Sequence, residues 1–129
     1  MYMRYSDALK LFRRQAHVFA GAWKAVTLCS TTQQLELAFR EAVDTMKGTS
    51  HAKGMVVNHA KRTIECANGA DIRFALANSM DDADLRLQGL NFTQMILVGT
   101  QNLANYMLPN MRSEIVPPEE YKTCLVEGI

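Results

Sequence analysis

Asn68-Gly69 restricts this chain more than any other pair of residues in it. Both residue types tolerate positive φ, as a two-residue type I′ turn demands. Before the pair, Ile64 and Cys66 alternate with polar neighbours; after it, Ile72, Phe74 and Leu76 do the same. Period two with one apolar face is the signature of a half-buried strand. The pattern predicts a β-hairpin over residues 62–77.

The period changes on the N-terminal side of this hairpin. Leu9, Phe12, Ala16, Phe19 and Ala20 recur at helical spacing, while Lys10, Arg13, Arg14 and His17 take other faces. They predict an amphipathic helix near 6–20, capped by Ser6 and stopped around Gly21. Lys24–Ser30 reads as a short strand, followed at once by Thr31-Thr32 as caps for a second helix. There Leu35, Phe39, Ala42, Val43 and Met46 form one stripe, and Gly48 is the expected stop. A strand leading straight into such a helix is an α/β signature.

Residues 55–58 and 62–67 predict short strands, and Gln94–Val98 a buried one. Asp81–Leu87 predicts one or two helical turns with an acidic start. Asn102–Met111 predicts a helix with Leu103, Tyr106 and Met107 on its inner side. Pro117-Pro118 breaks the chain, and Glu119-Glu120 is placed to open a last short helix. The expected fold is a single α/β domain over residues 1–129. It has a small sheet of four or five strands including the Asn-Gly hairpin, covered by three or four helices.

Totals agree with one globular unit: 129 residues, 48% hydrophobic and 21% charged. No apolar stretch approaches the roughly 20 residues that span a bilayer, and residues 1–7 lack the apolar core of a secretory leader. No membrane association is expected. Cys29, Cys66 and Cys124 are odd in number and widely spaced, which favours a reducing, cytoplasmic setting over a disulfide framework. Each reads most simply as a small buried hydrophobe.

The net charge of +1 hides an asymmetry. Residues 1–62 hold ten Lys/Arg against four acids, net +6, and residues 63–129 hold four against nine, net −5. Such a split suits an anionic partner or the acidic end of a second copy, unless the fold interleaves the halves.

The segments "VTLCSTTQQLELAFREAV" (26–43), "IECANGADIRFALA" (64–77) and "DADLRLQGLNFTQMILVG" (82–99) together resemble the ATPase domain of phage terminase large subunits and related helicase-like motors. The residues that carry the likeness are Ile64, Asn68, Gly69, Ile72, Phe74, Leu87, Gly89 and Phe92, with a helix ending in Met111-Arg112-Ser113. The resemblance implies a phage or mobile-element origin, hence host cytoplasm. Its chemistry does not carry over. The pattern G-x-x-x-x-G-K-[ST] is absent, and Gly21-Ala22-Trp23-Lys24 lacks both the phosphate loop and the hydroxyl. Where such motors place an acidic pair to hold magnesium and water, this chain has Gly99-Thr100.

Other chemistry is thinly provided. His17, His51 and His59 and the three cysteines show no metal-ligand spacing. Asp81, Asp82 and Asp84 offer carboxylates for magnesium, but clustered acids at a helix start answer the helix dipole equally well. Cys29 or Ser30 at a strand end is a candidate nucleophile, with core packing and helix capping as the plainer roles. No catalytic residue, metal or cofactor is therefore expected. The expected function is a non-catalytic protein that docks on a protein or nucleic-acid partner, self-association being a further expectation. Lys47, Lys53, Lys61 and Arg62 would meet the partner, with Arg13 and Arg14 on the first helix. The alternative is a degenerate nucleotide-binding domain holding a phosphate at Ser30, Thr31 and Thr32 without turnover.

Overall fold

The computed structural model describes residues 2–49, 52–77, 91–104 and 111–129. Helix α1 (Tyr5–Phe19) leads through a 3-10 turn at Ala20–Ala22 into β1 (Lys24–Cys29), and α2 (Thr32–Lys47) follows. Strands β2 (Val56–Asn58), β3 (Thr63–Glu65) and β4 (Asp71–Leu76) come next, then β5 (Gln94–Val98) and β6 (Lys122–Val126). All six form one mixed sheet in the order β2-β3-β4-β1-β5-β6. Strands β4, β1, β5 and β6 run parallel, and β2–β3–β4 is an antiparallel meander added at one side.

The architecture is α/β as expected, with six strands and two α-helices among the described residues. The sixth strand was not anticipated. Glu119-Glu120 opens no α-helix: residues Pro118–Glu120 make a single 3-10 turn, and Lys122-Thr123-Cys124-Leu125-Val126 then lies along β5. The segment from Asn102 begins in a 3-10 turn at Gln101–Leu103, and Ala104, the last residue described there, is α-helical. Tyr106 and Met107 lie outside the described residues, as do the acidic helical turn at Asp81–Leu87 and Gly89.

Register explains the two cores. Ala25, Cys29, Ile72, Phe74, Ile96, Val98, Cys124 and Val126 point to one face. There they pack with Leu9, Phe12 and Ala16 of α1 and Phe39, Ala42, Val43 and Met46 of α2. Both helices thus cover the same side. Val26, Leu28, Met95 and Leu97 point the other way and pack with Phe92, Leu103 and Met111. β5 is buried at every position because it is covered on both faces and paired on both edges.

Polar atoms lock α1 to this sheet. The fully buried Gln94 accepts from Trp23 Nε1 at 2.9 Å and donates to the Ala8 carbonyl at 3.2 Å. The Tyr5 hydroxyl donates to the Ala38 carbonyl of α2 at 2.7 Å. Ser6 sits inside α1, and its expected capping position is taken by Arg4, which supplies no side-chain cap.

The hairpin forms where expected, by a different turn. Asn68 keeps negative φ and only Gly69 is left-handed, at φ 94°. Gly69 N–H donates to the Cys66 carbonyl at 3.0 Å, and Cys66 N–H to the Ala70 carbonyl at 2.8 Å. This is a three-residue loop closed by a left-handed glycine, in place of a type I′ turn. Asn68 is needed for its side chain, which donates to the Ala16 carbonyl at 3.0 Å and accepts from Ala70 N–H at 3.1 Å.

β1, from the basic half of the chain, lies between β4 and β5 from the acidic half. The halves are interleaved, so the charge split is not a simple dipole along the sequence. Among the described residues, no helix is long and apolar enough to cross a membrane.

Candidate nucleic-acid interface

The amphipathic stripe of α2 buries Phe39 and Val43 against the sheet and leaves Arg40, Asp44 and Lys47 exposed beside them. The turn between β2 and β3 rises opposite. In that turn Asn58 Oδ1 accepts from Lys61 N–H at 2.9 Å, fixing the chain reversal. Arg62 then takes a left-handed conformation, φ 54°, which costs an L-residue about 1–2 kcal/mol. Its side chain offsets that cost. The guanidinium pairs with Glu36 of α2, donates to the His59 carbonyl and lies 5.4 Å over the Phe39 ring.

Helix and turn enclose a groove of about 310 Å³ lined by Glu36, Phe39, Arg40, Val43, Asp44, Lys47 and His59. Phe39 meets His59 edge-to-face at 5.5 Å and Phe74 at 5.4 Å. Glu36 is already neutralised by Arg62. Lys47, Lys53 and Lys61 are exposed, and none of them, nor Arg40, pairs with a carboxylate among the described residues.

The structure therefore divides the residues expected to bind a partner. Lys47 lines the groove, Lys61 stands on its turn, and Lys53 lies in the loop joining α2 to β2. Arg62 is committed to bracing the turn. Arg13 and Arg14 are on α1 and do not line the groove; Arg14 is exposed, while Arg13 Nε is enclosed without a hydrogen-bond partner among the described residues. Arg40 and Phe39 were not singled out as interface residues. Their signal was present, since Arg40 directly follows Phe39 and lies one turn before Val43, at the exposed margin of the helical stripe. His51 lies outside the described residues.

The strand-end alternative is a crowded place. Thr31 Oγ1 caps α2 by accepting from Gln34 N–H at 3.1 Å, and Ser30 N–H donates to the Val98 carbonyl at 3.3 Å. Thr32 is the first residue of the helix itself. Thr100 Oγ1 donates to the Leu28 carbonyl at 3.1 Å, and Gln34 Oε1 accepts from Ile129 N–H at 3.0 Å. Gly99 is left-handed, and a Cβ there would stand 2.8 Å from Ser30 Oγ. The hydroxyls of Thr31 and Thr100 are thus occupied by the chain's own backbone.

Nor does Cys29 suit nucleophilic chemistry. Burial pushes its thiol up to about 12 and that of Cys66 to about 11, and also raises Cys124. A thiol held protonated at neutral pH is a poor nucleophile. All three cysteines are free and buried. Among the described residues, no group of three His, Cys, Asp or Glu side chains could hold a metal; Asp81, Asp82 and Asp84 lie outside them. Compared with models of known protein families, with curated proteins and with solved structures, the chain matches none.

Proposed function

We propose that this protein is a non-catalytic docking protein that binds nucleic acid through the α2 groove and the lysines around it. The observation that carries the reading is Lys47, Lys53 and Lys61, exposed and without carboxylate partners among the described residues, carried on the end of α2, the loop after it and the β2–β3 turn. Cations free of internal pairing are available to phosphates, and their neutralisation releases counterions. The resemblance to terminase-type motors supports a setting in which DNA is handled. A nucleotide held at Ser30–Thr32 is the weaker reading, because the Thr31 hydroxyl is engaged in capping α2 and the Ser30 amide in a strand-end bond.

Fluorescence anisotropy with a labelled DNA oligonucleotide tests the proposal. About three phosphate contacts predict that duplex affinity falls about 40-fold between 50 and 200 mM salt. The K47E/K53E/K61E variant should lose binding while its melting temperature stays near that of the parent. Binding that ignores both salt and these substitutions would refute the assignment.

A further inference from the structure

We infer that the groove between α2 and the β2–β3 turn accepts an unpaired base, so that the nucleic acid recognised is single-stranded, with His59 as the stacking platform. The inference rests on the docking reading above and goes one step further, from lysines that attract phosphate to a concavity beside them. A duplex keeps its bases stacked inside and offers a surface only phosphates; it would engage the lysines and leave the groove empty. A single strand splays its bases, which stack on aromatic side chains while the backbone tracks a positive surface.

The walls meet both requirements. Among the described residues, the exposed His59 ring stacks on no other ring; its one ring contact, with buried Phe39, is edge-to-face. Phe39 and Val43 give the groove an apolar floor. Phe39 serves only as floor, because Arg62 lies over its ring. Arg40 and Lys47, seven residues apart on α2 and so on one helical row, stand at the rim for the phosphates flanking the inserted base. Pairing of Glu36 with Arg62 leaves Asp44 as the one uncompensated acid of the lining.

The test compares a labelled oligodeoxythymidylate strand with a duplex of equal length, at one salt concentration, for the parent, H59A and H59F. The single strand should bind about 10-fold more tightly than the duplex. H59A should remove about that factor from single-strand affinity and leave duplex affinity unchanged, and H59F should retain it, since stacking needs a ring and no charge. Equal affinity for the two forms, or an H59A effect shared by both, overturns the inference while the docking function stands. Absence of binding to either form overturns both. His59 is exposed, so all three proteins should melt alike.

Discussion

Gly69 and Gly21 meet backbone to backbone at the junction of α1 with the hairpin. A Cβ on Gly69 would lie 3.1 Å from Gly21 Cα, and its φ of 94° is one that L-residues rarely adopt. Gly69→Ala should therefore cost at least about 1–2 kcal/mol. Gly48, at φ −83°, has its nearest obstacle, the Thr45 carbonyl, at 3.7 Å. Gly48→Ala should be neutral or stabilise by about 0.4–1 kcal/mol. Urea denaturation of both variants checks the contrast. The thiols supply a second expectation at this scale. An unfolded thiol ionises near pH 8.5, whereas Cys29 and Cys66 hold their protons to about 12 and about 11. Between those values the native state is the more protonated one, so its stability falls as pH rises from about 9. The slope reaches at most about 1.4 kcal/mol per pH unit for each thiol. Urea midpoints at pH 8 and pH 10 should show the decline, and Cys66→Ala should reduce it.

At the scale of elements, Gln94 joins three of them: β5, which carries it, Trp23 at the entry to β1, and the Ala8 carbonyl of α1. Gln94→Leu keeps the volume but leaves the Trp23 N–H without its acceptor in a dry site, which should cost about 1–3 kcal/mol. Thermal melting would show it, and near-ultraviolet circular dichroism would report the loosened tryptophan. The elements themselves were unevenly legible. Those with a clean period, α1, α2 and the hairpin, stand where the sequence puts them, because one face of each is buried and the other wet. β6 was missed because Pro117-Pro118-Glu119-Glu120 looks like a helix start. What makes its residues a strand is pairing with β5, a tertiary fact that local pattern does not carry. The Asn68 turn type was missed for a similar reason: its amide answers the Ala16 carbonyl, 52 residues away. The lysines of the interface could be read from the chain, but the groove could not. It exists because Glu36 and Arg62, 26 residues apart, clamp the turn against the helix.

In the whole molecule, backbone protection should follow depth in the sheet. β1 and β5 are paired on both edges, whereas β2 is a three-residue strand at the border, with Val56 60% exposed. Amide hydrogen exchange should therefore be slowest in β1 and β5 and fastest in β2, where opening needs no global unfolding. The groove borrows one wall from that weaker margin, so single-stranded nucleic acid bound there should slow exchange around residues 58–62 first.

The position of β1 also bears on how the protein is made. The strand is complete at Cys29, but its neighbours end only at Leu76 and Val98. A ribosome that has delivered β1 has supplied neither flank, and an apolar strand with both edges unpaired must wait in the nascent chain. α1, made before it, and α2, made directly after it, can cover the face of Ala25 and Cys29 before any sheet exists. Translation speed across residues 30–98 then becomes a determinant of yield, since each pause there lengthens the interval in which β1 can find a neighbour on another chain.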